Sequence, residues 1–311
     1  MTTALYTHPA SLYHVTPPGH PEQVARIEAI TAALADPAFE GLTRLSAPLA
    51  EEAHLLRGHP AQYISHIRAS EPANGFLALD ADTHMSSGSV EAALRAVGAN
   101  VAAVELVMKG AAANAFCALR PPGHHAEVEL PMGFCLFGTV ALGAKHALEA
   151  CGAERVAVID FDVHHGNGTQ ALLWHESRSL FVSSHQSPLW PGTGAPEERG
   201  AHGNVMNVPL APDSSGQLMR AVYEGEILPA VLAFKPDLIL ISAGFDAHRA
   251  DPLASLNWET EDFAWLTHRI CDVADEVCSG RIVSSLEGGY DLDALGESVA
   301  AHVAVLMERA G

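Results

Sequence analysis

The chain repeats one local pattern: a short run apolar at nearly every position, a turn rich in Gly, Pro, His and Asp, then an amphipathic stretch. Asn114–Leu119 (NAFCAL) leads into RPPGHH, Arg155–Phe161 (RVAVIDF) into DVHHGNG, and Ser179–Ser184 (SLFVSS) into HQSPLWPGTG. Asp237–Ser242 (DLILIS) leads into AGFDAH, and Arg281–Leu286 (RIVSSL) into EGGYD. Apolar runs without polar alternation suit strands buried on both faces. The stretches between them predict helices over about Ser89–Lys109, Leu136–Ala150, Ser215–Phe234, Glu259–Cys278 and Leu292–Glu308. Asp or Ser near several starts and Gly after several ends fit helix capping. Such alternation predicts a three-layer α/β/α fold with a mostly parallel central sheet and right-handed crossovers.

At 311 residues and 48% apolar content, the chain can bury a large core, and no repeat or linker divides it. A single domain over residues 1–311 is therefore expected. Lys plus Arg number 17 against 37 Asp plus Glu, a net charge of −20. That balance disfavours nucleic acid, whose phosphates demand cationic side chains, and suits cationic substrates. The five cysteines (117, 135, 151, 271 and 278) form no C-x-x-C pair, so neither a disulfide framework nor a cysteine zinc site is expected. The N-terminal residues lack a signal-peptide pattern, and the longest apolar stretch, Gly98 to Leu119, is broken by Glu105, Lys109 and Asn114. A cytoplasmic protein with no membrane association is the expectation.

The polar residues of interest fall where the apolar runs end: His124, His125, Asp160, Asp162, His164, His185, Asp246 and Tyr290. Open parallel sheets bind ligands beyond the carboxyl ends of their strands. Five distant segments would thus deliver His, Asp and Tyr to one rim. In extended chain, Asp160, Asp162 and His164 project to one side, because side chains alternate with period two. Alone, D-x-D-x-H-H is as compatible with a capped turn as with a ligand set. Asp246, His124, His125 and Tyr290 at equivalent strand ends decide for a metal: Asp162, His164 and Asp246 make the three-ligand O/N set of a catalytic zinc with an open position.

Beside such a centre His124 and His125 can exchange protons with water and a leaving amine. Asp160 and Asn167 are the available partners to fix their tautomers. Tyr290 follows two glycines and can donate a hydrogen bond to a developing oxyanion. His8, His14, His20, His54, His59 and His66 lack carboxylate partners at persuasive spacing and are expected at the surface or in packing. Of these, His14 and His20 sit in loops within reach of the rim.

The order RPPGHH, DFDVHHGNGTQ, PGTG, SAGFDAH, EGGYD resembles the arginase-like histone deacetylase superfamily. The similarity runs from GHPEQVARIEAI (19–30) through LDADTHMSSGSVEAAL (79–94) to the last helix. It points to bacterial class II-type histone deacetylase-like amidohydrolases and acetylpolyamine amidohydrolases; Asn167 stands where class I members carry Asp.

The resemblance implies zinc on Asp162, His164 and Asp246, His125 as principal base and acid with His124 as electrostatic helper, and Tyr290 on the carbonyl oxygen. It also implies an acyl-lysine tunnel walled by Phe134, beside Gly133, and by Trp190, where relatives usually have Phe. Asp82 would be the rim acid gripping substrate amides, and Gly289 would line the substrate path. A structural potassium near Asp160, held mainly by Asp162, His164, Ser183 and Ser184, is implied by the resemblance alone. The expected partner is an acetylated lysine peptide or other acetylated amine, with self-association into a homo-oligomer left open. A two-manganese ureohydrolase would need more Asp and His ligands than DFDVHH and GFDAHR offer, and a mere acyl-group reader would not need a proton shuttle.

Overall fold

Parallel pairing of eight strands organises residues Met1–Gly311 in the computed structural model of the protein. In chain order the strands are β1 (Thr3–Thr7), β2 (Thr43–Ser46), β3 (Leu77–Ala78), β4 (His84–Met85), β5 (Asn114–Cys117), β6 (Val156–Asp160), β7 (Ser179–Gln186), β8 (Val205–Leu210), β9 (Leu238–Ala243) and β10 (Ile282–Leu286). The main sheet runs β2-β1-β5-β10-β9-β6-β7-β8, and every neighbouring pair in it is parallel. β3 and β4 form a separate antiparallel ribbon.

Alternation within each buried strand splits the core in two. Val156 and Val158 of β6, with Leu238 and Leu240 of β9, face the helices Ser89–Met108 and Thr139–Ala150. Ala157, Ile159, Ile239 and Ile241 face the opposite layer, where Phe263, Ile270, Val299 and Val303 come from the helices Thr260–Cys278 and Leu292–Arg309. Apolar side chains on both faces of one sheet require a cover on each, which gives the three α/β/α layers.

All five expected strands and four of the five expected helices are present near their expected bounds. The fifth, expected as one helix over Ser215–Phe234, is instead Gly216–Val222, a π-helical turn at Tyr223–Ile227, and Leu228–Phe234. Pro229 lies in the first turn of the last piece. It has no N–H to donate and its ring crowds the preceding turn, so a regular α-helix cannot run through it. β1, the edge strands β2 and β8, and the helix Ala25–Ala33 complete the sheet and its cover. No helix is long and apolar enough to cross a membrane, and all five cysteines are free thiols.

His302 shows how this core treats a polar group. It is fully buried among Phe116, Phe161 and Phe245. Thr267 Oγ1 gives its hydrogen to the Phe263 carbonyl, so His302 Nδ1 donates to Thr267 Oγ1 at 2.7 Å and Nε2 accepts from Ser284 Oγ at 2.9 Å. The neutral form thus has a partner for each ring nitrogen, and no carboxylate hydrogen-bonds the ring to favour a charge. Burial accordingly pushes His302 down to about 3. Between that value and about 6.5, only the unfolded chain takes up the proton, so stability falls with falling pH by about 1.4 kcal/mol per pH unit. Denaturant titrations between pH 7 and pH 4 should show a shallower loss of stability for His302→Gln than for the natural chain. Equal slopes would remove His302 as a source of acid sensitivity.

Candidate metal centre and active-site cavity

Four adjacent strands in the middle of the sheet end in the polar turns of interest. Their spatial order β5, β10, β9, β6 brings together His124 and His125, Glu287 and Tyr290, Asp246, and Asp162 with His164. Sequence neighbours are thus interleaved by the crossovers.

Asp162, His164 and Asp246 are buried, and their potential ligating atoms all lie within 4.8 Å of one another. His164 Nδ1 is 3.2 Å from Asp162 Oδ1 and 3.2 Å from Asp246 Oδ2. The remaining carboxylate oxygens are held by the main chain: Gly288 N donates to Asp162 Oδ2 at 2.8 Å, and Val163 N to Asp246 Oδ1 at 2.9 Å. Burial opposes charge on His164, but the hydrogen bonds to Asp162 and Asp246 prevail and push it up to about 10. Two buried carboxylates facing one imidazole demand a positive charge between them. Three convergent O/N donors of this kind fit a divalent ion with open coordination positions.

The histidine pair stands beside this group with its rings 3.8 Å apart, centroid to centroid. His124 Nδ1 donates to Asp160 Oδ2 at 3.0 Å, and its Nε2 lies 3.7 Å from Asp162 Oδ2. Burial disfavours its charge, yet Asp162, Asp160 and Glu287 outweigh that and hold His124 well above the ordinary histidine value. Asp160, fully buried, is pushed up to about 6.

His125 is arranged differently. Asn167 Nδ2 donates to Glu127 at 2.8 Å, which turns Asn167 Oδ1 toward His125 Nδ1, also at 2.8 Å. His125 therefore carries its hydrogen on Nδ1 and leaves a lone pair on Nε2. Burial, with the charges of His124 and His164, drives His125 well below the ordinary value. The pair thus divides into a proton-rich and a proton-poor imidazole.

Tyr290 is held from behind. Arg26, wholly buried, donates Nε to Gly289 O at 2.6 Å and Nη2 to Glu287 O at 2.5 Å, and its guanidinium lies 4.9 Å from the Tyr290 ring centre. Burial and the charges of Asp246 and Asp162 keep the phenol well above its usual value, so it remains a donor. Burial also pushes Glu287 up to about 7, and its side chain accepts from the Gly123 and His124 amides at 2.7 and 3.1 Å.

A cavity of about 340 Å³ opens onto these groups. His125, His164 and Tyr290 form its inner end, while Phe134, Trp190, Leu189, Leu253, His20, His84 and Asp82 surround the mouth. Trp190 stands edge-on to His125 at 4.7 Å and is 41% exposed. Phe134 packs edge-on to Tyr290 at 5.9 Å and His20 at 4.8 Å. A larger apolar cleft of about 520 Å³ beside the helix Ala25–Ala33 contains none of the ligand or histidine-pair residues.

Two glycines are sterically required. Gly133 has φ +55°, and a Cβ there would sit 2.4 Å from His125 Cδ2 and 2.5 Å from the Trp190 ring. A Cβ on Gly288 would lie 2.1 Å from Asp246 Oδ2. Gly289, expected along the substrate path, instead faces Leu295 and Phe245 and offers its carbonyl to Arg26. His185, noted at the end of β7, also points elsewhere: its Nε2 donates to Gly194 O and its Nδ1 accepts from Ser183 Oγ, beneath the loop that follows Trp190. Ser184 Oγ pairs with the Tyr223 hydroxyl at 2.8 Å.

Sequence reasoning passed over Glu287, Arg26, Glu127, Leu253 and His84. Each acts through a long-range contact or contributes only a wall, and no short motif advertises such roles. His14 lies behind the rim, buried against Ser89 and Glu22.

The histone deacetylase domain signature matches residues 20–306. The chain belongs to the histone deacetylase family. "Histone deacetylase 14, chloroplastic" of Arabidopsis thaliana is 39% identical over 316 residues, spanning 95% of this chain and 74% of the relative. "Histone deacetylase-like amidohydrolase" of Pseudomonas aeruginosa is 40% identical over 250 residues, 79% of this chain and 65% of that one. The crystal structure of the HDA15 HD domain superposes with a TM-score of 0.94 at 32% identity, covering 99% of this chain and 88% of the other. Family and fold support deacetylase or amidohydrolase activity here.

The Gly133 contacts generate a test within that activity. Gly133→Ala should displace His125 and Trp190 and lower turnover about 100-fold while the far-ultraviolet spectrum stays unchanged. Retention of full turnover would show that the inner cavity tolerates the added methyl.

Proposed function

We propose that the protein is a zinc-dependent amidohydrolase that hydrolyses N-acetyl amides of lysine side chains or related amines to the free amine and acetate. The observation that supports this most directly is the convergence of Asp162, His164 and Asp246 beside His124 bonded to Asp160, His125 bonded to Asn167, and Tyr290 in the same cavity. Those three residues would hold the ion; when bound, zinc supplies Lewis-acid polarisation of a carbonyl and lowers the pKa of a water to about 7.

The chain's own groups account for the rest. His125 Nε2, its lone pair free because Nδ1–H is spent on Asn167, takes the proton of the attacking water. Tyr290 donates a hydrogen bond to the carbonyl oxygen as that oxygen gains charge. Asp160 and the other carboxylates keep His124 charged beside the developing negative charge. As the C–N bond breaks, a protonated imidazole of the pair returns a proton to the nitrogen, and amine and acetate leave. Phe134 and Trp190 flank an extended acyl-lysine arm, Gly133 leaves room between them, and Asp82 stands at the rim for substrate amides.

A potassium ion around Asp160, Asp162, His164, Ser183 and Ser184 belongs to the same proposal. The parallel register that sets Asp160 opposite Ser183 supports it, as does a Ser183 hydroxyl whose hydrogen is directed to His185, leaving its lone pairs available. One convergent three-ligand group, rather than the larger set two bridged metals need, favours this chemistry over a ureohydrolase. Action of residues 1–311 as one catalytic domain, a cytoplasmic setting and an acetylated lysine peptide or acetylated amine as partner complete the proposal.

Metal analysis of the purified protein should give close to one divalent ion per chain, and chelation should abolish hydrolysis of a fluorogenic acetyl-lysine amide, with zinc restoring it. Activity indifferent to chelation would end the metal-dependent reading. Separately, Tyr290→Phe should lower turnover on the same substrate about 100- to 1,000-fold. Unchanged turnover would remove Tyr290 from the reaction.

A further inference from the structure

The loop that presents Tyr290 is tied at successive backbone groups. Asp162 takes the Gly288 amide, and Arg26 takes the Glu287 and Gly289 carbonyls. Tyr290's own amide goes to a residue outside the expected site: Tyr290 N donates to Asp251 Oδ2 at 2.7 Å. The other oxygen of the same carboxylate accepts from Leu253 N at 2.9 Å. Leu253 and Tyr290 both line the cavity.

Asp251 is buried, with 7% of its surface exposed, and forms no ion pair with any cationic side chain. It lies outside the convergent ligand group. A buried carboxylate spent only on two backbone amides costs desolvation that an apolar residue would avoid. Its return is geometric: a single rigid group fixes the separation of two cavity walls from different strand-end loops, one after β9 and one after β10. An ionised carboxylate can accept both N–H groups at once, whereas a carboxamide of the same shape offers one acceptor and one donor.

We propose that Asp251 is a positioning residue for the reaction, setting Tyr290 relative to Leu253 and thereby placing the phenol for the carbonyl oxygen. The inference rests on the role assigned to Tyr290 above. Asp251 touches neither substrate nor ion, so its effect passes through Tyr290.

A double-mutant cycle tests this, using the full chain with zinc and a fluorogenic acetyl-lysine amide of high turnover. Asp251→Asn should lower kcat about 10-fold or more, with KM shifted less than about threefold and metal content unchanged. In a Tyr290→Phe background the same substitution should cost almost nothing, because the hydroxyl it positions is gone. An equal kcat loss in both backgrounds would mark Asp251 as merely structural and overturn the proposal, as would natural kcat in Asp251→Asn alone. Should Tyr290→Phe itself keep full turnover, the role of Tyr290 fails first and this proposal with it, a result distinct from missing coupling. If Asp251→Asn does not fold, hydrogen exchange on the natural protein decides: the Tyr290 and Leu253 amides should be strongly protected, and free exchange at either would overturn the double anchor.

Discussion

The site depends on negative charge buried where water cannot screen it. Asp160, Asp162, Asp246 and Glu287 all sit at the ends of the central strands with essentially no exposed surface. Each is held by main-chain amides or by histidine, so none can swing away to relieve repulsion. Such a cluster survives only if positive charge is supplied from within, by His124 and by either a protonated His164 or a cation taking that proton's place. Burial, reinforced by the same carboxylates, keeps the Tyr290 phenol a donor.

Beneath the cavity, a second buried network carries the opposite sign. Glu22 lies between Arg26 and Arg120, both wholly buried, with the carboxylate bonded by both guanidiniums and His14 close by. Arg120 and His14 overcome the burial penalty and hold Glu22 well below the ordinary carboxylate range. Replacing a whole buried ion group with apolar residues is often neutral for stability, while removing one member is costly. Here the network has a geometric use: Arg120 opens the turn that bears the histidine pair, and Arg26 grips the turn that bears Tyr290.

Much of this was legible in the sequence because the chemistry follows local periodicities. Unbroken apolar runs identified the buried strands, and D-x-D-x-H gathered Asp160, Asp162 and His164 at one strand end, although Asp162 and His164 lie in the turn after β6 rather than in extended chain. What spacing could not reveal was contact between distant segments. That Asn167 serves His125 while Asp160 serves His124, that Glu127 fixes the Asn167 amide, and that Glu287 holds the turn before His124 depend on how crossovers stack. The π-helical turn ahead of Pro229 was hidden for another reason: amphipathic periodicity continues across it. The short edge strand β2 lacks the all-apolar signature because it is largely exposed, and β1 beside it is buried but begins and ends on threonine.

The interleaved strand order separates two kinds of contribution. β5, β10, β9 and β6 supply the charged and proton-carrying groups, whereas Trp190 follows β7 and Asp82 lies between β3 and β4, outside that central quartet. The charged and proton-carrying groups are thus anchored in the most constrained part of the molecule, while the outer walls of the cavity come from peripheral loops. Remodelling those flanking loops would reshape the entrance while leaving the buried charged groups undisturbed, because the two sets of residues sit on different strand ends.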